Sequence, residues 1–342
     1  MAGPYYVDPA AAGDNDGTTW INAWQTLQRA VDGTDGTQPV AGDTVYCRGT
    51  ETLGVTCDFD GTGGTEADGF IKYVGCAADG TVDGTRYAMD GDSTAVNCIL
   101  LAAKNYIYWE NFEFYGATGP GWDATSANWV GHVFINCISH DNGGDGFDLY
   151  YGGNTPSNTF IRCQSYSNTS GWGYSYRQAV FILCAAYDNS VDGFEGALAA
   201  AAEVYMGCLA HNNGNGTNGH GFDSGSRNVY FNCVADENDD NGIDLQGGVS
   251  SVIGCRLTDN GKGDASGYGL ALPASKLAVY GWNFLLNYAT AATSGAGLTP
   301  IPYNADTDTN ETAGTEGYTD ASADDYNLTA AATLRNTAIE LD

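Results

Sequence analysis

Across residues 95–290 apolar and polar positions alternate in short bursts, and the bursts copy one another. Aligned on a cysteine, six of them read "VFINCISHDN", "TFIRCQSYSN", "VFILCAAYDN", "VYMGCLAHNN", "VYFNCVADEN" and "SVIGCRLTDN". Their key positions are Cys137, Cys163, Cys184, Cys208, Cys233 and Cys255. An earlier copy, "IYWENFEFYG", carries Phe112 there, and a later one, "AVYGWNFLLN", carries Trp282. Five residues on, an asparagine recurs: Asn142, Asn168, Asn189, Asn213, Asn238, Asn260 and Asn287. Strand-like alternation broken by Gly/Asn/Asp turns every 21–27 residues marks a solenoid. The return segments have no room for a helix and there is no leucine ladder. The expected fold class is therefore all-β, a parallel β-helix.

Stacked windings give the repeated residues a physical reason. Cysteine is a small hydrophobe that suits an interior column, and asparagine amides can bond from rung to rung along a turn. Parallel side chains in one column point poorly at one another for a covalent bridge, so Cys137 to Cys255 are expected as thiols. Cys47, Cys57, Cys76 and Cys98 precede the regular series, and a disulfide among them stays open. The stretch "TTWINAWQTLQRAVDG" places Trp20, Ala23, Trp24, Leu27 and Val31 at helical spacing and predicts a cap helix over 19–31. The organisation expected is an N-terminal segment with that cap (1–45), the β-helix (46–290) and an irregular C-terminal wrap or tail (291–342).

A second strand follows each asparagine turn: "DGFDL", "WGYSY", "DGFEG", "HGFDS", "NGIDL", "YGLAL". Alternation turns Phe147, Tyr174, Phe194, Phe222, Ile243 and Leu270 inward. The next residues, Asp148, Ser175, Glu195, Asp223, Asp244 and Ala271, then face solvent on one sheet. Glu195, Asp223 and Asp244 fall on successive rungs, and like charges that close raise one another's pKa. Three readings stand: a solvated acidic face, a carbohydrate-cleaving acid pair, or a calcium site. Arg177 shares the outer face with these acids, as a charge-balancing partner or as a group that grips a sugar carboxylate or removes a proton. Tyr150, Trp172 and Tyr176 cluster nearby and are candidate sugar-stacking residues.

Charge narrows the partners. With 42 acids against 12 bases the net charge is −30, a field that repels phosphate backbones, so nucleic acid is not expected as a partner. No apolar run reaches the roughly 18 residues of a membrane span, and no membrane partner is expected. The start lacks the basic and apolar stretches of a signal peptide, which leaves two expectations: no export by that route, or a leader removed.

The rungs resemble the right-handed parallel β-helix superfamily of pectate lyases, polygalacturonases and phage tailspikes. One pectate lyase branch carries a motif close to N-G-D-D-G-F-D-L-W, and "NGGDGFDLY" is similar to it. The resemblance implies calcium-ligand positions at Asp145 and Asp148, with Gly144 at another. It also implies a base at a later G-F-K-L, where this chain has Ser175 or Asp223 and no lysine. The two ends, "YYVDPAAAGDNDGTTWINAWQTLQRAVDG" with "GDTVYCRG" at the front and "DDYNLTAAATLRNTAIEL" at the back, resemble β-helix proteins of tailed phages and environmental bacteria. That resemblance implies a virion-associated protein of tailspike or decoration type, assembled in the host cytoplasm. It would bind surface polysaccharide and pack as a homotrimer or with other virion proteins. The alternatives are a secreted polysaccharide lyase or glycoside hydrolase, and a structural solenoid without ligand.

Overall fold

The computed structural model describes residues 4–32, 38–102, 104–124, 131–149, 158–176, 178–196, 202–216, 219–247, 249–262 and 267–271. Beyond Ala271 it describes the backbone of strands as far as Leu328. Each winding gives one strand to each of three parallel sheets, which hold 12, 11 and 10 strands. In the winding of Cys137, Val133–Ile135 joins the first sheet, Ile138–His140 the second and Phe147–Leu149 the third. The fold is the expected parallel β-helix.

The register confirms the ladders. Ile138, Gln164, Ala185, Leu209, Val234 and Arg256 pair in succession, so the cysteines one residue before them share a column. Each thiol is buried, and several reach a carbonyl of the preceding rung: Cys163 to Phe134 O at 3.4 Å, Cys208 to Phe181 O and Cys233 to Tyr205 O at 3.5 Å. All ten cysteines are free, Cys47, Cys57, Cys76 and Cys98 among them. Burial pushes the thiols of Cys137, Cys163 and Cys184 well up, which keeps them protonated.

The asparagine column is a continuous chain of amides. Nδ2 of Asn142 donates to Oδ1 of Asn168 at 3.1 Å, and the pattern repeats through Asn189, Asn213, Asn238 and Asn260 at 2.8, 3.0, 2.9 and 2.9 Å. Beside it runs the glycine that opens each third-sheet strand. A Cβ on Gly193 would lie 2.8 Å from both Asn213 Nδ2 and Gly221 O, so only glycine lets neighbouring windings approach this closely. Inside, Phe134, Phe160, Phe181, Tyr205 and Tyr230 stack nearly parallel at 4.6–5.5 Å. A second stack from the third sheet, Phe147, Tyr174, Phe194 and Phe222, packs edge-on against them. The core is thus two facing aromatic ladders, with one from each of two sheets.

The cap helix is shorter than its apolar spacing predicts: it covers Leu27–Asp32. The preceding residues are drawn out of helical form because Trp24 exchanges backbone bonds with the first strand, its N–H to Tyr6 O at 2.9 Å and its O from Asp8 N–H at 2.8 Å. Leu27, Ala30 and Val31 are buried, and the Leu27 N–H donates to the buried Glu51 carboxylate at 2.8 Å. Pro4–Val7 pairs in parallel with Thr44–Cys47, so the first sheet already has its edge strand in the N-terminal segment. Trp282 and Asn287 lie outside the described residues, as do the side chains of the C-terminal tail.

Candidate functional site

Strand pairing in the third sheet places Asp123, Asp148, Ser175, Glu195, Asp223 and Asp244 in one outward column. Asp123 is a member the sequence reading missed. Its signal was present as "GWD", the same glycine–aromatic–acid triplet one winding before "GFD". Three residues upstream of these positions the turns supply Asp145, Trp172, Asp192, His220 and Asn241. The carbonyls of Trp172, Asp192, His220 and Asn241 receive the next-lower glycine N–H in turn, which fixes that column in register too. His220 was also not singled out from the sequence, since "HGFD" reads as a variant of the "DGFD" turn.

Outward does not mean exposed in this column. Ser175 and Asp223 are buried, at 1% and 9% exposure, and Ala271 is buried as well. Gln246, two positions beyond Asp244, folds back so that its Nε2 lies 2.6 Å from both Asp223 oxygens. The tyrosines need a correction. Tyr176 is wholly interior, packed edge-on against Phe181 and hydroxyl-bonded to Tyr205, so it offers no face to a sugar. Two residues past inward Tyr174, it must point inward as well. Trp172 stays partly exposed in its turn, where its N–H donates to Asp145 Oδ1 at 2.9 Å. Tyr150 and Arg177 lie outside the described residues.

The acids form two neighbouring groups. In the first, burial and then the Asp148 charge push Asp123 up to about 7, while an amide bond from Asn97 at 2.9 Å works against the shift. Burial, then Asp148 and Asp123, push Asp145 up to about 8. In the second, burial and then Asp192, Asp223 and Asp145 push Glu195 up to about 8. Asp223 is raised to about 7, chiefly by burial, with His220 opposing. Burial alone would lower His220, but the carboxylates of Asp192, Asp223, Asp244 and Asp240 outweigh it and raise it. The His220 backbone N–H holds Asp192 Oδ1 at 2.6 Å, and its Nε2 stands 3.7 Å from Asp244 Oδ2. These are carboxyl groups that exchange protons near neutral pH, in a line along one face.

Among the described residues no three His, Cys, Asp or Glu side chains converge closely enough to enclose a metal ion. The donor chemistry of Asp123, Asp145 and Asp148 is nonetheless all hard carboxylate oxygen, the set calcium prefers. Their mutual repulsion is the electrostatic condition a cation relieves. Among the described residues no lysine stands in a strand of the third sheet.

A three-sheet parallel solenoid with a carboxylate line on its third sheet defines a class. The chain belongs to the family of Pel9A-like right-handed β-helix regions, which it matches over residues 5–273. The crystal structure of pectate lyase Pel9A superposes with a TM-score of 0.72 at 19% identity, covering 96% of this chain and 90% of that one. A rhamnogalacturonan lyase gives 0.65 at 16% identity, covering 92% and 90%. ORF18 of Geobacillus virus E2 gives 0.53 at 12% identity, covering 80% of this chain and 57% of that one. At these identities the likeness is one of fold. No curated protein matches the chain.

Proposed function

We propose that the protein cleaves an acidic polysaccharide laid along the third sheet, by β-elimination at a uronate residue. The observation that carries this is the pairing of Glu195 with Asp223. The two stand in register on adjacent rungs, and both titrate near neutral pH, at about 8 and about 7. In its ionised form Asp223, the lower of the two and the one whose oxygens both accept from Gln246, takes the proton α to the uronate carboxylate. Protonated Glu195 gives its proton to the departing glycosidic oxygen. The C–H and C–O bonds break, a C=C bond forms, and no water is consumed. Gln246 orients Asp223, and Ser175 contributes a hydroxyl 3.5 Å from Glu195. Calcium drawn by the charge of Asp123, Asp145 and Asp148, which do not enclose it by themselves, would supply the positive charge that neutralises the uronate carboxylate. In this reading Asp223 takes the place that a lysine fills in the similar pectate lyase branch.

Incubation with a panel of uronate polymers, with and without calcium, tests the reading. Unsaturated products absorbing in the ultraviolet are expected, with a loss of about 10²-fold or more in Glu195→Gln and Asp223→Asn. Reducing ends without that absorbance would replace elimination by hydrolysis. Silence across the panel would remove the depolymerase reading altogether. A second proposal concerns location on a virion, supported by ten free buried thiols and by the fold shared with a viral protein. Mass spectrometry of purified particles decides it, and absence of the chain from them would end it.

A further inference from the structure

The outer face of the first sheet has a composition unlike the rest of the molecule. Ile135, Ile161, Ile182, Met206, Phe231 and Ile253 pair in succession and form one outward column. The parallel column two residues earlier runs through Val133, Thr159, Val180, Val204, Val229 and Ser251. Over these six windings neither column holds a charge, in a chain with 42 acids, and the columns become charged again only below them, at Glu110 and Lys72. Met206, Val229 and Phe231 are 42%, 40% and 43% exposed, and Leu183 and Leu209 extend the strip across the corner at 56% and 38%. Contiguous apolar surface of this kind marks an interaction site.

We infer that this face docks a second copy of the same chain. Three observations favour a copy over another occupant. The strip is straight and periodic, with ridges at the inter-strand spacing of about 4.8 Å, so a copy related by a two-fold axis presents grooves of the same pitch. Two molecules of net charge −30 can meet closely only where neither carries acids, and this is such a face. Finally, Arg162 and Arg227, two of only 12 basic residues, stand at the strip's margins, where they offset repulsion between the copies' acidic flanks. Six rungs make the strip about 24 Å long. With its flanks it buries roughly 500 Å² per copy, near the low end for specific interfaces. Association is therefore of moderate strength. It tightens with salt, because screening removes the repulsion of the flanks and leaves the apolar contact intact.

Sedimentation of the full chain from about 1 to 100 μM, at low and high salt, reads this directly. The expected result is a concentration-dependent dimer, favoured by salt. In Phe231→Glu its dissociation constant rises about tenfold or more, and in Phe231→Ser by less. Phe231 points outward, so thermal unfolding of both variants should stay close to that of the parent. Should either variant fail to fold, the oxidation rate of Met206 in the unmodified chain decides instead. Slowing severalfold as concentration rises supports the inference. A monomer under all conditions, a dimer untouched by Phe231→Glu, or Met206 oxidation independent of concentration would overturn it. The measurement involves no substrate, so it stands or falls apart from the proposed cleavage.

Discussion

Replacing Asn213 by alanine removes the middle of the amide ladder. Its Oδ1 accepts from Asn189 Nδ2 at 3.0 Å and from the Asn189 N–H at 3.3 Å. Its Nδ2 donates to Ala186 O at 3.0 Å and Asn238 Oδ1 at 2.9 Å. Not every partner is stranded: Asn238 Oδ1 keeps the Asn213 N–H at 3.1 Å, and Asn189 Nδ2 keeps Ser165 O at 3.1 Å. The Asn189 N–H and the Ala186 carbonyl lose their side-chain partner inside a site with 0% exposure at Asn213. At about 1 kcal/mol per net bond, plus about 1–3 kcal/mol for each group left unpaired, the loss is roughly 3–5 kcal/mol. The neighbouring Asn212 is the control. It is exposed, its side chain donates to Asp188 Oδ1 at 2.6 Å, and its φ of +50° suits asparagine better than alanine, so Asn212→Ala should cost about 1–2 kcal/mol. Urea unfolding followed by tryptophan fluorescence gives both values, and hydrogen exchange at the Asn189 amide reports the local loss. If Asn213→Ala cost no more than Asn212→Ala, the ladder would not be a source of stability.

Further outcomes follow from the same geometry. Glu203 is fully buried with both oxygens lacking a hydrogen-bond partner among the described residues, and burial pushes it up to about 8. It holds in the folded chain a proton that the unfolded chain releases near pH 4.5. Stability is thus full below that pH and falls as pH rises through about 8. The fall is on the order of 4 kcal/mol for this group, and urea midpoints at pH 5 and 9 should differ less in Glu203→Gln. Leu183 sits at φ +54° in the corner where other windings place Gly207 and Gly254, so Leu183→Gly should raise the unfolding free energy by about 0.5–1 kcal/mol. A decrease would show that its exposed side chain contributes more than its backbone costs. If calcium occupies the first acid group, its addition should raise the thermal midpoint at neutral pH, and Asp145→Asn should remove the rise; an equal rise in the variant would place calcium elsewhere.

Much of the candidate site was legible in the sequence, and its gaps have physical causes. The outward column from Asp148 to Asp244 follows from alternation once the windings are aligned, because a parallel ladder keeps side chains on one face. Asp123 escaped because its winding, although aligned at Phe112, has Ala117 in place of the asparagine that marks the turn before each third-sheet strand. Tyr176 was assigned to a sugar although parity with Tyr174 put it inside.

Repetition is a local property. The spacing of cysteine, asparagine and glycine determined that the chain winds, which residues line its core, and that the thiols from Cys137 to Cys255 stay unbridged, because each of these depends only on which residues stack. Burial outside the core is not local. Whether Asp223 lies open or under Gln246, whether His220 meets four carboxylates, and whether an uncharged strip forms on the first sheet depend on side chains some two dozen residues apart. Only the tertiary structure decided those, because the dielectric and charge around a group are set by its spatial neighbours and not by its place in a repeat.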